Sequence, residues 1–269
     1  QGFDRKMLEA FEKVGPDVTM LPIMRNLHAF NWECRHRGGC GWSMYQGPTP
    51  KRCPQCGERH HLKRHILWRA KERPRSTSYS FDSEPHFQYF EDYKHREQYI
   101  KDKAETGFTE TMSIQGSCFM VMRGRYWDLD LSQESLGNWG NQGIEVACKS
   151  WLSGGRVLVN HNSWVAHMFR TQGGDFSFPW PASGRDTQRT KANVKELLWS
   201  GKWPKQVRPL SWLVERFWPV PGWSWPPAGA RPAARWPKGG SGSTARRRAT
   251  PSCAWSQALA IHYKSGLAV

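Results

Sequence analysis

Four cysteines that lie close together place the strongest constraint on how this chain folds. They are Cys34, Cys40, Cys53 and Cys56, separated by five, twelve and two residues. The C-P-x-C-G turn that ends at Gly57 is typical of a zinc knuckle, and zinc takes four such soft ligands in a tetrahedron. The spacing therefore predicts a structural zinc ribbon over residues 32–71. His36 is an alternative to Cys34 as a ligand.

The net charge of +16 is concentrated in two segments. Residues 34–75 carry 11 basic and 2 acidic side chains, and residues 224–269 carry 7 basic and no acidic ones. Residues 76–223 carry 17 basic and 16 acidic side chains, a balance typical of an ordinary globular enzyme. The basic ribbon is either a solvated face or a surface that contacts a polyanion. A zinc-ribbon nucleic-acid-binding protein is therefore an alternative functional class.

The order of the predicted elements indicates an α/β domain. Hydrophobic periodicity predicts helices over 3–14, 144–153, 191–199 and 210–217, and strands over 18–24, 117–123, 156–160 and 164–169. Residues 72–86 are predicted to be a loop, and residues 87–104 are ambiguous but compatible with a helix. Residues 224–269 are predicted to be a disordered, low-complexity basic tail.

The sequence has no run of 18 apolar residues and no charged-then-apolar N-terminal segment. We therefore expect no membrane partner and a cytoplasmic, reducing location.

Four short motifs follow one another between residues 115 and 170. They are Gln115-Gly116-Ser117-Cys118, Trp139-Gly140-Asn141-Gln142-Gly143-Ile144-Glu145, Trp151-Leu152-Ser153-Gly154-Gly155 and Ala166-His167-Met168-Phe169-Arg170. This order resembles the second half of GT-A-fold glycosyltransferases of the family 2 type, and is especially similar to the polypeptide N-acetylgalactosaminyltransferases. The ribbon insert makes the chain look closer to phage and bacterial relatives of that group. The resemblance implies a partial GT-A (Rossmann-like) domain, formed by residues 1–31 and 72–223.

The resemblance also implies residues that handle the donor. His167 matches a histidine that binds a catalytic Mn²⁺ or Mg²⁺, which bridges the donor's diphosphate. Arg170 matches an arginine that neutralises the leaving diphosphate. Gly116 matches a glycine that lets the donor sugar approach the backbone.

Three further residues match positions near the donor and acceptor sugars, namely Trp139, Gln142 and Glu145. Gln142 stands where the family usually has a glutamate, and an amide can hydrogen-bond a sugar hydroxyl but cannot act as a general base. Gly143 stands where the family has an asparagine. Glu145 is the nearest carboxylate and the remaining catalytic candidate, with bracing of the helix N-terminus as its alternative role.

The implied function is transfer of a sugar from a nucleotide-sugar donor, expected to be a UDP-sugar, to an acceptor that is a protein, a glycan or a modified nucleic acid. In the family, an N-terminal βαβ region ends in a metal-binding D-x-D or D-x-H motif. Gln1-Gly2-Phe3-Asp4 resembles the sequence just after that motif, and Asp128-Leu129-Asp130 lies too late in the chain to replace it. We therefore expect an acceptor-side fragment that transfers sugar poorly by itself, with an inactive remnant as the alternative.

Overall fold

The computed structural model describes residues 2–36, 39–45, 49–74, 76–137, 140–169 and 183–224, and the backbone of 258–261. Its helices are α1 (Phe3–Val14), α2 (Glu97–Thr106), α3 (Arg123–Asp128), α4 (Gln142–Leu152), α5 (Gly184–Val194) and α6 (Leu210–Phe217). Its strands are β1 (Val18–Cys34), β2 (Ser43–Tyr45), β3 (Leu62–Ala70), β4 (Tyr79–Phe81), β5 (Phe87–Tyr89), β6 (Phe108–Glu110), β7 (Met120–Met122), β8 (Arg156–His167) and β9 (Ala258–Ile261).

The central sheet has the strand order β6-β8-β1-β7-β9. β1 and β8 are parallel, whereas β6 and β7 run antiparallel to them. Side chains along these strands alternate between two faces. Met20 and Leu158 belong to the cluster of buried residues that α1 covers, and Leu21 and Val159 belong to the larger cluster that includes α4 and α6. The expected α/β architecture is confirmed, with helices on both faces of the sheet.

The strongest helical patterns in the sequence correspond to helices. α1 and α6 have the predicted bounds, and α4 begins two residues before the predicted start. α1 ends at Gly15, whose φ of 85° lets its N–H return to the carbonyl of Phe11 at 2.9 Å. No helix in the described ranges is long and apolar enough to span a membrane.

Several predicted bounds are wrong. β8 is one strand instead of two, because an irregularity between Pro22 and Ile23 accommodates the polar residues 161–163. β4 lies in the predicted loop and pairs with β5, so the ambiguous segment starts as a strand. It becomes helical from Asp92, first as a 3-10 turn over Asp92–His95 and then as α2. β7 covers three of the seven residues predicted for it. α5 starts before the predicted helix, which ends as a π-helical segment over Lys195–Trp199.

The tail prediction also needs one correction. Ala258–Ile261 forms a strand that pairs with β7, so these four residues are not disordered. The rest of residues 225–269 lies outside the described part of the chain.

β1 connects the body to the cysteine-bearing segment without a break. Its first half, to Asn26, pairs with β8, and its second half, from Leu27, pairs with β3 and with β2. The resulting three-stranded antiparallel sheet contains Cys34 at the end of β1. It begins at Leu27, before the predicted boundary at residue 32, because one strand serves both sheets.

A buried ion pair fixes α4 to the turn that precedes it. Lys149 Nζ lies 2.8 Å from Glu145 Oε1, and the two side chains are 0% and 3% exposed. Lys149 also donates to the carbonyl of Asp130 at 2.5 Å and to Gln133 Oε1 at 2.9 Å. Glu145 accepts the backbone N–H of Ser132 at 3.0 Å. Burial raises the pKa of Glu145, and Lys149 opposes that effect.

We expect Lys149→Met to lower the free energy of unfolding by about 3–5 kcal/mol, since it leaves a buried carboxylate without its cation. The cost should shrink as the pH falls towards 4.5, the ordinary pKa of the Glu145 carboxyl, because burial favours the protonated acid. Urea denaturation at pH 7 and pH 5 measures both effects.

Lys202→Met is the matched control, because Lys202 pairs with Glu196 at the same 2.8 Å but both side chains are more than half exposed. This control should have little effect on stability, because water screens an exposed ion pair. Equal stability losses in the two variants would show that the buried pair does not hold the turn.

Candidate functional site

The four predicted cysteine ligands lie together. Their sulfur atoms are all within 4.8 Å of one another, with 3.6 Å between Cys34 and Cys56 and 3.5 Å between Cys40 and Cys53. Four sulfurs at about 2.3 Å from one zinc ion at tetrahedral corners would be about 3.8 Å apart. The cluster therefore fits a tetrahedral zinc ion. Because Cys34 completes it, the alternative of His36 as a ligand is not needed.

Backbone hydrogen bonds shape the knuckle that carries two of these cysteines. The N–H of Gly57 donates to the carbonyl of Cys53 at 2.9 Å, and Gly57 has a φ of 77° that favours glycine. The N–H of Cys53 donates to the carbonyl of Glu58 at 2.7 Å. The Glu58 carboxylate accepts N–H groups from the next two residues, and these bonds lower its pKa to about 2. The turn is therefore fixed by its own backbone.

A second group of predicted residues lies at the edge of the central sheet towards which β1 and β8 run. His167 is the last residue of β8 and is paired in register with Asn26 of β1. Its ring makes an edge contact with Phe169, with 4.7 Å between centroids. The carboxyl ends of parallel strands are where α/β proteins commonly bind ligands.

Gly116 reaches the same edge from the other side of β1. Met20 pairs with Met120 across antiparallel strands, so the residues just before β7 lie towards the carboxyl end of β1. α4 returns to the start of β8, so its own start, at Gln142, also lies at this edge. A Cβ on Gly116 would be 3.6 Å from Gln142 Oε1. The structure thus places Gly116 beside Gln142, at a distance that a Cβ on Gly116 would close to van der Waals contact.

The start of α4 can approach this segment only because residue 143 is a glycine. A Cβ on Gly143 would lie 2.2 Å from the carbonyl oxygen of Ile114. The departure from the family's asparagine therefore has a steric reason in this chain. Gln142 itself donates to Ser132 Oγ at 2.8 Å, while its Oε1 faces Gly116.

Glu145 lies one turn further along α4 and is oriented into the protein. Its carboxylate contacts Lys149 and the N–H groups of Ser132 and Gln133, and only 3% of its side chain is exposed. Lys149 was not predicted as part of the site, although its i,i+4 spacing from Glu145 indicates that the two side chains can pair.

Two more side chains at this edge were not predicted. Among the described atoms, Asn26 Oδ1 and Arg25 Nε are buried without a hydrogen-bond partner. The guanidinium of Arg25 lies 4.4 Å from the ring centroid of Trp164 on β8. Their signal in the sequence is a polar pair directly after the apolar run of β1.

The structure places none of the other predicted residues at either site. Trp139 and Arg170 lie outside the described residues. Asp128 and Asp130 are exposed on either side of the buried Leu129. Within the described part of the chain, the cysteine cluster is the only group of three or more His, Cys, Asp or Glu side chains placed to hold a metal. The D-x-D sequence therefore forms no metal cluster there.

No family model matches the chain, but several curated N-acetylgalactosaminyltransferases match part of it, among them the following three. Probable N-acetylgalactosaminyltransferase 8 of Caenorhabditis elegans is 35% identical over 86 residues, which cover 31% of this chain and 19% of that protein. Probable N-acetylgalactosaminyltransferase 6 of the same organism is 29% identical over 98 residues, covering 36% and 16%. Polypeptide N-acetylgalactosaminyltransferase 3 of Drosophila melanogaster is 22% identical over 148 residues, covering 44% and 21%.

Among solved structures, the crystal structure of GalNAc-T7 with UDP, GalNAc and Mn²⁺ aligns with a TM-score of 0.45 at 16% identity, over 73% of this chain and 30% of that one. The sequence matches span between 16% and 21% of the length of the three relatives. The chain is therefore distantly similar to a limited part of the N-acetylgalactosaminyltransferases.

Proposed function

We propose that this chain is the acceptor-side part of a glycosyltransferase that takes its sugar from a nucleotide-sugar donor, a UDP-sugar. Two findings together support this proposal. The chain is similar in sequence to N-acetylgalactosaminyltransferases. Three of the residues for which the resemblance implies a role, Gly116, Gln142 and His167, lie at one edge of the sheet.

Gly116 and Gln142 are proposed to bind the sugars. With no side chain at Gly116, a hexose can lie against the backbone beside the start of α4. The Gln142 amide can exchange hydrogen bonds with sugar hydroxyls, but it has no proton-accepting group for general base catalysis. Gln142 is therefore an orienting residue in this proposal.

Glu145 is proposed to be a positioning residue that acts through Gln142. Its carboxylate oxygens are occupied by Lys149, Ser132 and Gln133, which leaves no room for a substrate proton. The Ser132 that Glu145 holds by its backbone N–H also accepts a hydrogen bond from Gln142. The buried pair thus orients the amide that faces Gly116.

His167 is proposed as one ligand of a divalent metal, Mn²⁺ or Mg²⁺, that would neutralise the donor's diphosphate. The described residues do not complete such a site, because His167 belongs to no group of three potential ligands there. We therefore assign no reaction step to this metal. Arg170, beyond the described residues, remains the proposed partner of the diphosphate.

The four clustered cysteines are proposed to hold one structural zinc ion. The sulfur separations fit zinc, and all four positions of a tetrahedron would be filled by protein. Such a closed site leaves no position for a substrate, so its role would be to stabilise the ribbon.

We expect the chain, purified under reducing conditions, to contain about one zinc per molecule. Cys53→Ala should lose the metal and unfold the ribbon, because a zinc-centred core of this size depends on its ion. The body should stay folded, since the first half of β1 keeps its pairing with β8. Elemental analysis and far-ultraviolet circular dichroism measure the two effects.

Cys118→Ala is the matched control, because Cys118 is buried in the body away from the cluster. It should retain the zinc. A wild-type chain without zinc would refute the metal assignment, as would equal zinc loss in the two variants.

We expect UDP to bind the chain more tightly as Mn²⁺ is added. Turnover of UDP-sugars should remain low, because in the described part of the chain His167 belongs to no group of three side chains that could hold the metal. His167→Ala should weaken the apparent Mn²⁺ affinity by about tenfold or more, since even indirect disturbance of a metal ligand has effects of this size. Isothermal titration calorimetry of UDP binding at a series of Mn²⁺ concentrations measures this change.

His60→Ala, at an exposed histidine of the knuckle, is the control and should leave the titration unchanged. A thermal melt separates the two roles of His167. If His167→Ala lowers the melting temperature but leaves the Mn²⁺ dependence intact, the histidine is structural. An absence of UDP binding at any Mn²⁺ concentration would contradict the proposed donor.

A further inference from the structure

The ribbon carries a charge that its zinc site does not explain. Residues 34–75 have 11 basic and 2 acidic side chains, a net charge of +9. Four thiolates and one Zn²⁺ would add −2, which leaves +7 by subtraction. All nine basic side chains that the structure describes in this segment are exposed. One of the two carboxylates, Glu58, accepts hydrogen bonds from its own turn. The other, Glu72, lies 3.6 Å from Arg69, but the two side chains are 86% and 75% exposed, so water screens the pair. Most of the positive charge is therefore accessible to a partner.

β3 combines this charge with exposed apolar side chains. We define the β3 surface as Lys63, Arg64, Ile66, Trp68 and Arg69. Ile66 is 52% exposed and Trp68 is 56% exposed, although large apolar side chains are usually buried. Cations that alternate with an exposed aromatic ring are typical of surfaces that bind single-stranded nucleic acid, where phosphates meet the charges and bases stack on the ring.

Trp68 is held outward by a local irregularity of the backbone. β3 pairs Ile66 with Phe30 and Arg69 with His28, so that Leu67 and Trp68 together face the single residue Ala29. This is a β-bulge, a feature that redirects a side chain. Trp68 has a φ of 44°, which is unfavourable for a bulky residue. The bulge accounts for this backbone conformation, and the side chain that it redirects is 56% exposed.

β3 also lies at the side of its sheet, where an extended partner can reach it. The ribbon sheet has the order β2-β1-β3, so β3 is an edge strand in the described structure. Successive side chains of a strand point to opposite faces, so Lys63 and Arg64 flank the edge on both sides. A flexible polyanion can follow such an edge, whereas a flat membrane surface would meet only one face.

The β3 surface begins next to the candidate sugar site. Ala70 pairs with Leu27, and the N–H of Lys71 donates to the carbonyl of Asn26 at 2.9 Å. Asn26 is the residue in register with His167. A polymer bound along β3 would therefore lead to the edge of the sheet that carries His167.

We propose that the β3 surface binds a single strand of nucleic acid, with Trp68 stacking on a base and the flanking cations contacting phosphates. The inference does not depend on sugar transfer. It rests on the exposed charge, the outward tryptophan and the edge position of β3. If the proposed transferase function also holds, the bound strand is the natural carrier of the acceptor.

The test is fluorescence anisotropy of a 5′-labelled 20-nucleotide oligo(dT) titrated with the full chain at several salt concentrations. The logarithm of the binding constant should fall linearly with the logarithm of the salt concentration, with a slope of about −0.7 for each phosphate contacted. Trp68→Ala should weaken binding by about tenfold, because a stacked base is lost. Trp127→Ala, at a tryptophan of the body that is 66% exposed, should have no effect.

Two double variants that remove the same charge distinguish binding by the β3 surface from binding by the overall charge or by the basic tail. Lys63→Gln/Arg69→Gln should reduce the salt slope by about 1.4, which corresponds to two phosphate contacts. Lys101→Gln/Arg185→Gln removes the same charge from α2 and α5 and should leave the slope unchanged. Circular dichroism confirms that every variant is folded.

Three results would overturn the proposal. The first is no binding in low salt, which would assign the charges on β3 to protection of an edge strand against aggregation. The second is an equal effect of the two double variants, which would assign the binding to net charge or, if neither variant changes the slope, to the basic tail. The third is Trp68-dependent binding to vesicles of phosphatidylcholine and phosphatidylserine without binding to the oligonucleotide, which would identify a membrane surface instead.

Discussion

The parallel pairing of β1 with β8 is the interaction on which the rest of the structure depends. Nine residues of β1, from Val18 to Asn26, pair with β8, with one irregularity between Pro22 and Ile23. One face of this pair is covered by α1 and the other by α4. Because β1 then continues for eight more residues into the ribbon, the same strand positions both candidate sites. The cysteine cluster and the sheet edge at His167 are therefore connected by a hydrogen-bonded strand instead of a flexible linker.

The geometry at the sheet edge depends on small residues as much as on polar ones. Gly143 permits the start of α4 to touch the carbonyl of Ile114, and Gly116 leaves the adjoining backbone open. Further back, the buried Lys149–Glu145 pair fixes the turn that holds Ser132 against Gln142. At this edge, the two glycines thus let backbone segments approach closely, and the buried ion pair holds the polar side chains in place. Neither is itself a catalytic group, which agrees with the proposed binding and orienting role.

Much of the fold could be predicted from sequence, and the errors have identifiable causes. α1 and α6 were predicted correctly because their apolar residues recur with helical spacing and a glycine or proline lies at one end. β4 was missed because the short run Tyr79–Phe81 lies in a polar, proline-bounded segment, where only tertiary contact buries it. β8 was divided in two because His161 and Asn162 interrupt its apolar pattern.

At the candidate sites, too, some features could be predicted from the sequence and others could not. The cysteine spacing predicted the four sulfurs that lie together, because short intervals leave a chain few alternatives, although it left His36 open in place of Cys34. The buried state of Glu145 could not be predicted, because it depends on the turn at residues 130–133, far from any periodic pattern. The exposure of Trp68 likewise follows from a bulge opposite Ala29 that no local sequence rule indicates.

The central claim is that the edge formed by Gly116, Gln142 and His167 binds a nucleotide-sugar. Backbone amide NMR of the isotopically labelled chain, titrated with UDP-N-acetylgalactosamine and Mg²⁺, tests it most directly. The largest shift changes should fall at Gly116, Gln142 and His167, with little change in the ribbon around Glu58. Shift changes that cluster away from this edge, or none at millimolar donor, would contradict it.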